Sequence, residues 1–216
     1  MTSVIPRTTR SVFLAAAACV LLCVHCWAAP AVNSPEPKAK AAAPEEQFHR
    51  FYVFSDDDAK NHYVPTGWMG DATDIKISAA YIDDRPDLGK TCLRIIYLAR
   101  GKKEWAGIYW QNPANNWGSA RSGYNLIGAK YLTFWARGEK GGEKISEFKI
   151  GGLTGKYPDS DTAWLGPVKL KKEWKQYRID LKGKDLRYIV GGYCFTVLAN
   201  DNPSGCTFYL AEVKYE

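Results

Sequence analysis

From Phe48 to the C-terminus, no apolar period of the helical kind survives beyond two turns, while short apolar–polar alternations recur throughout. That texture argues against a helix bundle and for paired strands, because period-two alternation buries one face of a strand and leaves the other to water. Candidate strands cover residues 49–54, 74–80, 92–98, 106–111, 131–136, 147–151, 176–181, 193–198 and 207–215. Turn-forming clusters separate them: 83–86, 101–103, 112–116, 138–142 and 200–205 are rich in Asp, Asn, Gly and Pro. The 8 Trp and 13 Tyr suit a pleated surface, and only 2 Met are present. Eight or nine strands at this spacing predict an all-β fold, either a two-sheet β-sandwich or a barrel.

The first 47 residues read differently. Arg7 and Arg10 precede an apolar stretch from Val12 to Ala29, and Ala29-Pro30-Ala31 offers a small–x–small cleavage site. Residues 1–31 therefore read as a signal peptide. An uncleaved signal anchor and a lipid anchor at Cys19 are the alternatives, and all three place the folded part outside the cytoplasm, secreted or periplasmic. Residues 32–47 are a Pro/Ala/charge tether with almost nothing to bury, so a disordered linker is expected. The sandwich domain then occupies 48–216.

Charge names no partner. The formal net charge of +6 falls to about +4 once Arg7 and Arg10 leave with the leader. The densest basic cluster, Lys169, Lys171, Lys172 and Lys175, reads as a solvated edge, not a nucleic-acid groove. Beyond the leader only Cys92, Cys194 and Cys206 remain, and an oxidising compartment allows one disulfide among them with the pairing open. His49 and His62 are the only histidines past the leader, and no Cys-x-x-Cys accompanies them, so zinc is not expected. No nucleophile elbow, phosphate loop or His-Glu-x-x-His occurs. Asp159 and Asp161 are the nearest thing to an acid–base pair, yet a glycosidase sets its two carboxylates across a cleft. The chain reads as a non-enzyme.

The strongest binding candidate lies between Trp105 and Trp117. Alternation puts Trp105, Tyr109 and Gln111 on one strand face and Ala106, Ile108 and Trp110 on the other. The second set is expected in the core, leaving Tyr109 and Gln111 to reach a groove. Asn112, Asn115, Asn116 and Trp117 follow in a loop. An aromatic platform flanked by amides is what a sugar ring requires: its C–H face packs on the ring, and its hydroxyls exchange hydrogen bonds with the amides. Trp135 and Arg137 share a face of a later strand and are expected to extend that groove. Each of these aromatics also has a plain alternative as a core filler.

Four segments carry a resemblance. Residues 89–95 (Gly-Lys-Thr-Cys-Leu-Arg-Ile), 132–138 (Leu-Thr-Phe-Trp-Ala-Arg-Gly), 174–181 (Trp-Lys-Gln-Tyr-Arg-Ile-Asp-Leu) and 208–213 (Phe-Tyr-Leu-Ala-Glu-Val) follow one another in the order seen in galactose-binding-like jelly rolls. That family includes several non-catalytic carbohydrate-binding modules. The resemblance spans roughly residues 48–216, and residues 65–71 and 105–113 are similar to an exported bacterial subgroup of it. It implies a jelly-roll sandwich that holds a polysaccharide without cleaving it. It also implies a structural calcium ion between first and last strands, with Asp56, Asp57 and Glu212 as its ligands here, although Ala211 stands where the family commonly has a second acid. A structural or adaptor protein of the cell envelope, contacting another protein, is the second reading, and a polysaccharide hydrolase or lyase the third.

Overall fold

Alternation becomes structure most plainly in the strand at 105–111. Ala106, Ile108 and Trp110 are buried between two sheets, while Trp105, Gly107, Tyr109 and Gln111 point away from that core. The computed structural model describes residues 47–82 and 85–216. The leader and all of the tether but Gln47 lie outside the described residues. Among the described residues, thirteen strands run in chain order: β1 (Phe51–Phe54), β2 (Val64–Gly70), β3 (Ile75–Tyr81), β4 (Thr91–Tyr97), β5 (Trp105–Gln111), β6 (Tyr131–Gly138), β7 (Lys144–Ile145), β8 (Glu147–Gly151), β9 (Thr162–Leu165), β10 (Val168–Lys169), β11 (Lys175–Asp180), β12 (Gly191–Leu198) and β13 (Cys206–Tyr215).

They form the predicted jelly-roll sandwich. One sheet has the order β11-β6-β13-β4-β3, with β1 also paired to β13; the other has the order β2-β5-β12-β8-β9. A two-strand ribbon, β7 with β10, completes the set. Every ladder within the sheets is antiparallel. The core between the sheets is aromatic. Phe134 of the first sheet meets Phe148 of the second at 4.6 Å and Tyr193 at 5.4 Å, and Phe208 meets Phe195 edge-on at 5.1 Å. Each such ring, fully withdrawn from water, stabilises the fold by roughly 1.5–3 kcal/mol. Among the described residues, no helix is long and apolar enough to cross a membrane.

Two departures from expectation have physical causes. Four strands were not anticipated: β2 carries Pro65 and two glycines, and β7, β9 and β10 are only two to four residues long. β2 tolerates its proline because it is an edge strand with a register shift between Pro65 and Gly67. In β13 the inward set changes phase, from Phe208 and Leu210 to Val213 and Tyr215. A register shift between Ala211 and Lys214, with Glu212 at φ +50°, absorbs one extra residue. Without it, strict alternation would turn the Glu212 carboxylate into the core.

The expected disulfide does not form among Cys92, Cys194 and Cys206. Cys92 lies on the outer face of the six-stranded sheet, Cys194 on the outer face of the other, and Cys206 against the core. A bridge needs Cα atoms within roughly 7 Å, and no two of these share a surface. Cys194 and Cys206 are free thiols. Burial pushes the Cys206 thiol up to about 12 and Cys194 well above its ordinary value. Neither is expected to react with a disulfide reagent at pH 8 until the protein is unfolded, a result readable by thiol titration with and without denaturant.

Candidate functional site

The outer face of the five-stranded sheet is built by register. Tyr109 stands opposite Cys194, Cys194 opposite Lys149, and Lys149 opposite Trp164, so these four side chains form one row across β5, β12, β8 and β9. One step along, Met69, Gly107, Thr196 and Glu147 form the next row. Trp105, opposite Leu198, closes the far end, half-buried and about 14 Å from Tyr109 by strand rise.

The near end is walled by two loops, 112–118 after β5 and 152–160 after β8. They lie against one another through the Tyr157 N–H, which donates to the Gly118 carbonyl at 2.7 Å. Beneath them Tyr109, Leu153, Val190 and Cys194 make a separate apolar cluster. Tyr109 is only 5% exposed, and its hydroxyl donates to the Gly151 carbonyl at 2.9 Å. Burial drives its phenol well above the ordinary range. Glycine is required on both sides of the ring: a Cβ at Gly67 would stand 2.7 Å from Tyr109 Cβ, and one at Gly191 2.9 Å from its Cε1.

Several predicted ligand residues therefore serve the scaffold. Gln111 is fully buried, its Oε1 accepting from the Thr66 hydroxyl at 3.1 Å. Asn116 is fully buried too: its amide nitrogen donates to the Asn112 and Arg121 carbonyls, and its oxygen accepts from the N–H groups of Gly118, Ser119 and Ala120. The Asn115 N–H donates to Thr66 Oγ1, and Asn112 Oδ1 accepts from Arg121. This amide network shapes the loop and leaves little of itself for a sugar. What the loop presents is Trp117, 41% exposed and edge-on to Tyr109 at 6.2 Å.

Trp135 and Arg137 do not extend this surface. They lie on β6, on the outer face of the six-stranded sheet, with the whole sandwich between them and Tyr109. Their shared face was correctly read, but consecutive strands β5 and β6 fall in different sheets.

The residue the sequence reading missed is Trp164. It is 62% exposed, in the same row as Lys149, on a four-residue strand between Asp159-Ser160-Asp161 and Gly166-Pro167. From Tyr109 to Trp164 is three inter-strand spacings, about 14 Å. Two exposed indoles thus stand at the ends of this row: Trp164 beside Lys149, and Trp117 in the loop over buried Tyr109. Glu147 and Thr196 supply a carboxylate and a hydroxyl one register step away. The larger cavities lie elsewhere: a cleft of about 860 Å³ beside Phe48, Ile127 and Glu216, and one of about 420 Å³ against Leu181 and Leu186. A polymer chain needs an open face more than an enclosed cavity, which makes the sheet the better candidate.

The two aspartates considered as an acid–base pair are structural ties. Asp159 accepts the N–H groups of Leu153, Val190 and Gly191, joining the wall loop to the start of β12, and burial raises its carboxyl above the ordinary value. Asp161 accepts from Thr162 and Asp185 N–H and pairs with Lys184 at 3.2 Å. Burial works to raise Asp161, and those hydrogen bonds and the ammonium together hold it below.

The carboxylates expected to hold calcium do not converge as a set. Asp56 accepts the Lys90 N–H at 2.9 Å; Asp57 caps the turn at Asp58–Lys60 and pairs with Lys60 at 3.0 Å; Glu212 faces Lys214 at 3.6 Å. Among the described residues, no group of three or more His, Cys, Asp or Glu side chains is placed to hold a metal ion. These residues do not fit a calcium cage.

With this geometry in hand, the comparisons agree on architecture. A family 30 carbohydrate-binding module superposes with a TM-score of 0.53 at 14% identity, covering 77% of this chain and 87% of its own. The family 30 module of a cellulosomal cellulase from Clostridium thermocellum gives 0.52 at 15%, covering 78% and 97%. The chain has the jelly-roll fold of the carbohydrate-binding modules. No protein-family model matches the sequence, and no curated protein matches it.

Proposed function

We propose that this is an exported, non-catalytic glycan-binding domain that holds a polysaccharide chain along the outer face of its five-stranded sheet. The observation that carries the reading is the exposure of Trp164, in the row of Tyr109, Cys194 and Lys149, and of Trp117, which rests edge-on against Tyr109 at the other end of that row. Sugar rings stack their C–H faces on the two indoles, and Lys149, Glu147 and Thr196 exchange hydrogen bonds with the hydroxyls between them. The commitment of Asp159 and Asp161 to backbone N–H groups supports binding without bond cleavage. Export rests on the leader-like composition of residues 1–31.

Since one structural relative belongs to a cellulase, β-1,4-glucan oligosaccharides are the first probe and a wider neutral glycan panel the second. Affinity electrophoresis of the purified protein is expected to show retention by at least one neutral polysaccharide. Absence of retention throughout the panel, with a fixed protein partner co-purifying undisturbed by free sugar, would move the reading to an envelope adaptor. Release of products from the polymer would move it to an enzyme.

A further inference from the structure

The opposite face of the sandwich holds an arginine that is oriented but, among the described residues, unpaired. Arg137 Cζ lies 4.4 Å from the centroid of the Tyr209 ring and 5.3 Å from that of Trp174, so two aromatic faces fix its plane. Two carboxylates stand near this group: Glu173 lines the same cavity, and Glu139 is engaged elsewhere, its Oε2 accepting the Tyr209 hydroxyl at 2.9 Å and lying 3.7 Å from Arg94. Arg137 makes no hydrogen bond or ion pair among the described residues. Its Nε–H is buried without an acceptor, and so is the Nε1–H of Trp174, a side chain only 8% exposed. Two neighbouring donors without acceptors are uncommon in a finished interior, because a buried polar group normally finds a partner.

Both residues line one cavity of about 400 Å³, with Lys172, Arg85 and Glu173 at its rim. Arg85 is held by Asp87 at 2.6 Å and stacks on Trp135 at 4.3 Å. The group that fits offers several acceptor oxygens, carries negative charge and comes attached to a ring that packs against indole. We propose that this cavity is a second binding site, which takes the carboxylate or sulfate ester of an acidic glycan on Arg137 and Trp174. The arginine fork and the indole N–H receive the oxyanion, and Lys172 adds long-range attraction. The site lies on the other sheet from the Trp117–Trp164 row, so it stands or falls separately from that reading.

The test is titration of the purified protein with alginate, dextran sulfate and unmodified dextran at a fixed, near-physiological salt concentration. Preference for alginate assigns a uronate, and preference for dextran sulfate a sulfate ester. Binding of the preferred polymer is expected to fall about tenfold or more in Arg137→Gln. It is also expected to fall in Trp174→Phe, which keeps a ring and removes the N–H. Arg137→Lys preserves the charge, and lost binding there with an unchanged melting temperature supports the fork geometry. Equal binding by the parent, Arg137→Gln and Trp174→Phe overturns the proposal. So does failure to bind either acidic polymer, including the case in which inorganic sulfate alone perturbs Arg137.

Discussion

Replacing Trp164 with Ala is expected to weaken neutral-glycan binding about tenfold or more while leaving the melting temperature nearly unchanged. The two halves of that result have different origins. Trp164 is 62% exposed on the edge strand β9, so its truncation removes little from the core, and surface changes of that kind usually stay within about 0.5 kcal/mol. For a sugar on the outer face, however, the indole is one of two flat apolar surfaces, and losing it forfeits a whole stacking contact. Trp117→Ala is expected to act in the same direction. Isothermal titration beside thermal unfolding separates the two quantities, and a Trp164→Ala protein that binds like the parent would remove the ring from the site.

The largest effect on stability is expected at Tyr109, where binding and folding should come apart. Tyr109→Ala empties the centre of the cluster formed with Leu153, Val190 and Cys194, and large-to-small changes of buried aromatics cost about 3–5 kcal/mol. It should also loosen the 112–118 loop, because Trp117 rests edge-on against that ring. Tyr109→Phe is the sharper probe. It keeps the ring and strips the buried Gly151 carbonyl of its donor, at a cost of about 1–3 kcal/mol. If Tyr109 supports the wall and does not touch ligand, the Phe variant melts earlier but binds glycan as the parent does. A loss of affinity with unchanged stability would return Tyr109 to the ligand surface.

Tyr109 also shows how far sequence reading reaches. Period-two alternation assigned every residue of β5 to its correct face, because that assignment depends on strand geometry alone. What covers the outward face depends on a loop some forty residues later, tied down by Asp159 on Leu153, Val190 and Gly191, and no local pattern announces such a contact. Trp135 and Arg137 fail for a topological reason: a shared parity says nothing about which sheet a strand joins. Trp164 escaped because four residues between two turn clusters are too few to display a period. Breakers and alternation were enough to predict an all-β sandwich or barrel, since those signals are local and repeated, and the order of the four resembling segments chose the jelly-roll sandwich. The proposed binding face was only half legible: Trp117 was anticipated, and its counterparts on β8 and β9 appear only once the strands are in register.

The proposed site requires the indoles of Trp117 and Trp164 to touch the ligand together across one face. Two-dimensional ¹⁵N–¹H spectra resolve each indole N–H, and titration with a bound neutral oligosaccharide reads them one by one. Progressive shifts are expected for Trp117 and Trp164, with little movement of buried Trp110. Shifts confined to Trp135 and Trp174, with Trp117 and Trp164 still, would contradict it.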